Sequence, residues 1–139
     1  MANNAPQSVM ITLDRLPPSL NTYLHMNWKK RYNLQKIFDQ IMKVEWVVHG
    51  RFVFTNPVKL YYILSFPDTQ KRYRDRDNYI GGTKPITDAL KHTFLFRDDA
   101  DWIKDIQIKF VTGKEQTTIL IVEEAKDERC EPGTGSQTG

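Results

Sequence analysis

Residues 33–50 read NLQKIFDQIMKVEWVVHG, and the apolar side chains in this stretch recur at steps of three and four residues. That spacing predicts an amphipathic helix from Asn33 to His49. Asn33 is predicted to cap its N-terminus, and Gly50 to follow its C-terminus as the C′ residue. The apolar stripe of the helix is predicted to pack in the core and consists of Leu34, Ile37, Phe38, Ile41, Val44 and Val48.

Segments with the composition of β-strands lie on both sides of this helix. Residues 8–14 alternate loosely between polar and apolar types and predict a first strand, which ends before two consecutive prolines. Residues 57–66 are rich in aromatic and β-branched types and predict a second strand. Residues 104–112 and 116–123 flank a turn that contains glycine, and they predict a closing β-hairpin.

A second, shorter helix is predicted after the Gly-Gly-Thr stretch at 81–83. Pro85 fits only the first turn of such a helix, because a proline lacks the backbone N–H that later turns need. Three apolar residues of this helix are predicted to face the core: Ile86, Ala89 and Leu90.

The order β-α-β-α-β-β predicts an α+β domain, a small mixed β-sheet of about four strands with two main helices packed on it. A chain of 139 residues is long enough to bury a core without disulfides. We expect one domain over residues 1–124. Residues 125–139 are rich in polar residues, glycine and proline, and we expect a flexible polar tail there.

Charge is distributed unevenly along the chain. The net charge is +3, but residues 123–139 carry five acids and two bases, so residues 1–122 carry 18 bases and 12 acids. A basic body of this kind favours contact with phosphates. No apolar run approaches the ~20 residues of a membrane helix, so no membrane partner is expected.

The compartment is predicted from the cysteine content and the N-terminus. Cys130 is the single cysteine and has no partner for an intrachain disulfide. Residues 1–8 are polar and have no secretory signal pattern. Both observations favour a reducing cytoplasm. No glycine-rich phosphate loop is present, and no organic cofactor is expected.

Aspartates cluster in two segments that carry the chemistry. Asp75 and Asp77 are two residues apart and would project to one side of an extended chain. Asp98 and Asp99 follow after about one helix, and a short helix could return them to the same end of the fold. Carboxylate oxygens in such a group are the ligands that Mg²⁺ prefers.

Two structural alternatives stand beside the metal site. An isolated Asp-x-Asp pair is more often a solvated turn, and the acids near position 99 also fit a surface patch. The basic residues interleaved with the first pair fit a solvated loop or a phosphate-binding surface equally well. Those basic residues are Lys71, Arg72, Arg74 and Arg76.

The spacing of these motifs resembles that of the RusA family of Holliday-junction resolvases. The family pattern runs Asp-x-Asp-Asn, a lysine, Asp-Ala-Leu and a paired Asp-Asp. Here the corresponding residues are Asp75-Arg76-Asp77-Asn78, Lys84, Asp88-Ala89-Leu90 and Asp98-Asp99. Residues 11–13 and the Pro17-Pro18-Ser19-x-Asn21 stretch also resemble the opening strand and turn of the family. The similarity covers roughly residues 9–122.

This resemblance implies a role for each matching residue. Asp75, Asp77 and Asp99 would hold Mg²⁺, with Mn²⁺ as a substitute, and Lys84 would be the catalytic lysine at the scissile phosphate. Asp98 and Asp88 are weaker candidates as ligands. The segment between Asn78 and Lys84 is longer than in the best-known members of the family.

The resemblance further implies a structure-selective endonuclease that resolves four-way DNA junctions by paired symmetric nicks in recombination and repair. Paired nicks require a homodimer, because one chain offers one carboxylate cluster. We expect it to act in the cytoplasm of a bacterial or phage-infected cell. The predicted DNA-binding residues are Lys29, Lys30, Arg31, Lys71, Arg72, Arg74 and Arg76.

Other functions fit the same residues. One is a catalytically inactive module that binds branched DNA, and another is a nuclease for flaps or replication forks. A third is a Mg²⁺ enzyme acting on a small phosphorylated substrate. Trp28, which lies in a basic stretch, could stack on an exposed base.

Overall fold

The computed structural model of the chain describes residues 7–67, 76–95 and 100–125. Its strands are β1 (Ser8–Leu13), β2 (Val58–Phe66), β3 (Ile103–Thr112) and β4 (Thr117–Glu124). Its helices are α1 (Leu20–Leu24), α2 (Trp28–Val48), α3 (Arg76–Gly82) and α4 (Lys84–Lys91), and a 3₁₀ turn spans Ala100–Trp102. The predicted tail lies outside the described residues except for Ala125.

The four strands form one mixed sheet in the order β1-β4-β2-β3. Strand β2 pairs parallel with β3 and antiparallel with β4, and β4 pairs antiparallel with β1. Every second residue of β2 is buried, which suits its position inside the sheet. The α+β architecture with a small mixed sheet is therefore confirmed.

The predicted closing hairpin is wrong. Strands β3 and β4 follow each other in the chain, but β2 lies between them. Their connection crosses the end of β2, where Gly113 N–H donates to the Phe66 carbonyl at 2.9 Å. A Cβ at Gly113 would overlap the Ser65 hydroxyl, so a larger residue there would require the Ser65 side chain to turn away. A turn signal shows only that β3 and β4 are consecutive in the chain. Because β2 is buried, both strands pair with β2 instead of with each other.

The N-cap of helix α2 lies six residues before the predicted cap. The side chain of Asn27 accepts a hydrogen bond from the Lys30 N–H at 2.9 Å and caps the helix, while Asn33 lies within it. Arg31, in the added first turn, donates to the carbonyls of Tyr23 and Leu24 at the end of α1, so a tertiary contact supports the earlier start. At the other end Gly50 has a φ of 73°, which agrees with its predicted role after the helix.

The apolar stripe of α2 is only partly in the core. Phe38 and Met42 are fully buried, and Leu34 and Ile41 pack against the core at its margin. In contrast Ile37, Val44 and Val48 are exposed, with 72% of Val48 accessible. The prediction of a fully buried stripe is therefore wrong, because the apolar stripe is wider than the contact that the rest of the domain makes with it.

Helices α3 and α4 carry the chain along the sheet. Near the end of β2, the Tyr79 ring of α3 lies 5.9 Å from that of Phe66. At mid-strand the Tyr62 hydroxyl lies 3.3 Å from that of Thr87 in α4. After α4, Leu95 forms a parallel bridge with Phe54, just before β2 begins.

The second predicted helix is confirmed as α4. Pro85 lies in its first turn. Ile86, Ala89 and Leu90 are buried, as predicted. The short helices α1 and α3 were not predicted, since neither is long enough to display a periodic apolar stripe.

Candidate active site

Asp77 is the second residue of α3, and its side chain is exposed. Asp77 does not lie in an extended chain, where it would share a side with Asp75, because residues 76–82 form a helix. Asp75 lies outside the described residues. Side-chain alternation in a strand therefore cannot be what brings these two carboxylates together.

Helix α1 holds α3 in place from one side. The side-chain oxygen of Asn78 accepts a hydrogen bond from the Asn21 N–H at 3.0 Å. A Cβ at Gly82 would overlap the Pro18 carbonyl oxygen, so the backbones of the two segments meet there directly. The Pro-Pro-Ser-x-Asn stretch and the Asp-x-Asp-Asn motif are thus in contact.

Asn78 and Gly82 are positioning residues to which the sequence alone assigns no role. Asn78 is the residue directly after Asp77, so its hydrogen bond fixes the turn of helix that presents this carboxylate. The sequence signal for these two residues was an asparagine and a Gly-Gly pair that follow the two aspartates. Their partners could not be read from that signal, because they lie about 60 residues away in sequence.

Lys84 is the first residue of α4 and follows α3 after a single residue, Thr83. Thr83 is buried, and its hydroxyl donates to the Ile80 carbonyl at 2.7 Å. This contact fixes the bend between the two helices. Asp77 and Lys84 are therefore presented by two helices with a defined junction.

The Lys84 ammonium donates to Asp88 Oδ2 at 3.0 Å. The side chains are 60% and 30% exposed, respectively, and an i,i+4 pair of this kind contributes about 0.3–0.5 kcal/mol. An incoming phosphate could therefore replace Asp88 as the partner of Lys84 at low cost. Asp88 is better described as the resting partner of the lysine than as a metal ligand.

A buried hydrogen bond supports α4 from below. The hydroxyl groups of Tyr62 and Thr87 are 3.3 Å apart and lie in the core between β2 and the helix. Burial raises the pKa of Tyr62 to about 12, although hydrogen bonds to Thr87 and Thr83 oppose the shift. The phenol is therefore a neutral structural group beneath the site.

The structure describes residues close in sequence to each of the two aspartate segments, and these residues lie towards opposite ends of β3. Tyr79, in the middle of α3, has its ring 5.5 Å from that of Phe110 near the end of the strand. Ala100–Trp102 directly precede Ile103, which opens the strand and pairs with Val58. Ile103 and Phe110 are roughly 23 Å apart along a strand. Asp75, Asp98 and Asp99 themselves lie outside the described residues, so the expectation that a short helix returns the chain to the same end stays a prediction.

Of the predicted metal ligands, Asp77 and Asp88 lie within the described residues. Asp75, Asp98 and Asp99 lie outside the described residues. Within the ranges that the structure describes, no three His, Cys, Asp or Glu residues group closely enough to hold a metal ion. The exposed Asp77 carboxylate has the hard oxygen donors that suit Mg²⁺. The complete ligand set stays a prediction.

The predicted DNA-binding residues at the start of α2 differ in their surroundings. Lys29 and Lys30 are exposed. Arg31 instead donates to the carbonyls of Tyr23 and Leu24, both at 3.1 Å, and its guanidinium lies 4.9 Å from the Tyr23 ring centre. Arg31 therefore ties α2 to the end of α1, while the two lysines are open to solvent.

The remaining basic candidates lie in or beside the gap before α3. Lys71, Arg72 and Arg74 are outside the described residues, and for Arg76 the structure describes the backbone alone, as the first residue of α3. Trp28 opens α2 next to the exposed lysines and is itself 77% exposed. An aromatic ring beside lysines is a surface on which an unpaired base can stack.

The sequence matches no protein-family model and no curated protein at a significant level. In the described part of the chain, no helix has the length and apolar character needed to cross a membrane.

Proposed function

We propose that this protein is a Mg²⁺-dependent, structure-selective DNA endonuclease that resolves four-way junctions as a homodimer. The observation that carries the proposal is the ordered set Asp75-x-Asp77-Asn78, Lys84, Asp88 and Asp98-Asp99. Support comes from the junction of α3 and α4, which presents the exposed Asp77 and Lys84 from neighbouring helices.

Asp77 would hold the ion together with Asp75 and Asp99, and Mn²⁺ is an expected substitute for Mg²⁺. When bound, the ion would offset negative charge on the phosphate oxygens during hydrolysis. Lys84 would leave Asp88 for the scissile phosphate and stabilise the charge that develops there. Asn78 acts through Asp77 by holding its helix against α1.

The exposed lysines of α2 would contribute to binding rather than to hydrolysis. Lys29 and Lys30 can neutralise backbone phosphates without losing a described partner, and Trp28 can stack on a base that is unpaired at the junction. The acidic residues after 122 lie apart from this basic body in sequence.

The first test is the substitution Asp77→Asn. We expect paired symmetric nicks in a labelled synthetic four-way junction with Mg²⁺ for the wild type, and a loss of cleavage of about 100-fold or more for the variant. Junction binding, measured by gel shift in EDTA, should be retained, because the substitution removes one negative charge and keeps the shape of the side chain.

Asp14→Asn is a matched control, since Asp14 is an exposed aspartate after β1 and pairs with Arg15 at 3.3 Å. It should cleave like the wild type. Binding by the wild type without any metal-dependent cutting would instead indicate an inactive junction-binding module. Faster cutting of flap or fork substrates than of four-way junctions would replace the resolvase with a nuclease for other branched DNA.

A further inference from the structure

The sheet has two faces of different character. On one face the side chains of β2 and β4 are buried without exception from Val58 to Phe66 and from Thr118 to Val122, where they meet the helices. The other face is called the open face here. It is formed by Ser8, Met10, Thr12, Lys59, Tyr61, Ile63, Ser65, Asp105, Gln107, Lys109, Val111, Thr117, Ile119, Ile121 and Glu123.

The helix contacts recorded in the described residues lie on the buried face. Thr87 of α4 meets Tyr62, and Tyr79 of α3 meets Phe66 and Phe110. On the open face the central side chains of β2 and β4 are half-buried, and Met10 is 60% exposed. The helices of the described residues thus form a single layer on one side of the sheet.

The centre of the open face is apolar. The strand register places Met10, Ile121 and Tyr61 in one row across three strands. The next row contains Ile119 and Ile63 side by side. An apolar patch of this kind on one face of a sheet commonly marks a protein interface.

The charges on the open face exclude nucleic acid as its natural partner. Lys59 and Lys109 are balanced by Asp105 and Glu123, so the face has no net charge. A surface that meets phosphates is basic, because it must replace the counterions of the nucleic acid. A neutral rim around an apolar centre instead suits a protein surface.

The pattern of the face is complementary to itself. A two-fold axis parallel to the strands, between β2 and β4, would lay each of these strands over the other strand of a second copy. By the observed register, Lys59 would then face Glu123. Tyr61 would face Ile121 and Ile63 would face Ile119 in the same way, so apolar residues meet apolar ones.

We propose that a second copy of this chain packs on the open face, sheet against sheet, about a two-fold axis parallel to β2 and β4. Two sheets packed in this way align to within about 30° and lie about 10 Å apart. Four strands and four rows of side chains cover roughly 500 Å² per copy, or about 1,000 Å² in total, which is the lower bound of a specific interface. The dimer should therefore dissociate on dilution.

The first experiment measures the mass of the full chain by sedimentation velocity between about 1 and 200 μM, a range suited to an interface of this size. We expect a dimer at high concentration and a dissociation constant at least about 100-fold larger for Ile121→Lys, since the variant places a charge in the apolar centre. Ile121→Thr, which keeps a β-branched side chain, should weaken the dimer to a lesser extent.

Val44→Lys is the matched control, because Val44 is an exposed apolar residue on α2 and lies off the sheet. Its association should equal that of the wild type. A wild type that stays monomeric throughout would overturn the proposal, as would a dimer lost in Val44→Lys and kept in Ile121→Lys. If both Ile121 variants are unfolded monomers, the proposal is also overturned, because a segment of the chain itself then covers the face.

The axis is tested by exchanging the charges. Lys59→Glu places like charges opposite each other in its own dimer, and so does Glu123→Lys, so each should associate about tenfold more weakly alone. A mixture of the two restores both opposite pairs and should form a heterodimer of wild-type strength. Pairing between Lys59 and Glu123 within one chain cannot produce this rescue, and failure of the mixture to associate would overturn the proposed axis.

This inference identifies the partner surface of the proposed homodimeric enzyme, but it does not depend on its activity. Association is measured without DNA or metal. A protein that dimerises and does not cut would refute the proposed function alone, and one that cuts without dimerising through this face would refute the interface alone.

Discussion

At the scale of single residues, Gly82 is the point where two backbones touch. The last residue of α3 lies against Pro18 so closely that a side chain would overlap the carbonyl oxygen. The neighbouring Gly81 faces the Leu20 side chain, whose Cδ2 would lie 2.8 Å from an added Cβ. A backbone cannot move aside as the end of a leucine can, so the two glycines differ in their tolerance of substitution.

We expect Gly82→Ala to lower the free energy of unfolding by about 1–3 kcal/mol, because α1 and α3 must separate to accept the methyl group. Gly81→Ala should cost less, since its close contacts are all with the Leu20 side chain rather than with backbone, and alanine favours the helix. Chemical denaturation of both variants measures the difference. Equal losses of stability would contradict the close backbone contact at Gly82.

Tyr62 predicts a dependence of stability on alkaline pH. Burial raises its pKa from 10.0 to about 12. Because the folded protein holds the phenol proton more tightly than the unfolded chain, this contribution is fully present below pH 10 and is lost as the pH rises from about 10 to about 12. This rise of the pKa corresponds to about 2–3 kcal/mol of stability.

The measurement compares the wild type with Tyr62→Phe by urea denaturation across this pH range. The variant should be less stable near pH 8, because it lacks the hydrogen bond to Thr87. Its stability should fall less steeply above pH 10, so the two curves converge. Parallel curves would mean that the phenol titrates equally in the folded and unfolded states.

At the scale of elements, α1 is five residues long and depends on its neighbours for stability. Ser19 caps it by accepting from the Thr22 N–H, and Asn78 of α3 accepts from the Asn21 N–H. Arg31 of α2 binds the carbonyls at its other end. Because α1 is bonded to α3, a displacement of the N-terminal segment would also displace the helix that carries Asp77.

We expect Asn78→Ala to speed hydrogen exchange of the Leu20–Leu24 amides and to lower the free energy of unfolding by about 0.5–1.5 kcal/mol. Asn78→Asp keeps an oxygen at the same place and should retain slow exchange. The measurement is hydrogen exchange by mass spectrometry on α1 peptides. Fast exchange in the aspartate variant as well would show that the acceptor oxygen does not hold the helix.

At the scale of the whole molecule, the structure separates basic residues that are open to solvent from basic residues that bind other parts of the protein. Lys29 and Lys30 are exposed, while Arg31 is engaged with α1. If DNA is the ligand, each lysine that neutralises a phosphate contributes about 0.9 to the slope of log affinity against log salt. The net charge alone cannot tell these two kinds of residue apart.

We expect Lys29→Ala and Lys30→Ala each to weaken junction binding and to reduce the salt slope by about 1, without loss of stability. Arg31→Ala should instead lower stability, because α1 and α2 lose their link. Binding titrations at several salt concentrations, paired with thermal unfolding, separate the two effects. Unchanged salt slopes for both lysine variants would remove the start of α2 from the DNA-binding surface.

The candidate site shows how far sequence reasoning reaches. The sequence predicts that Asp77, Lys84 and Asp88 belong to one site, and the structure places Asp77 on α3 and the other two on α4. The ion pair of Lys84 with Asp88 follows from their i,i+4 spacing and was open to prediction. The contact of Asn78 with Asn21 was not, because it joins two segments far apart in the chain.

The sequence by itself determined the elements whose evidence is local. Periodic apolar residues marked α2, proline and glycine marked the ends of α4 and α2, and alternation marked the strands. The tertiary structure decided the strand order, the start of α2 at Trp28, the exposed flank at Val44 and the helical state of Asp77. Those features depend on which apolar faces bury one another across long stretches of chain, and no local spacing encodes that choice.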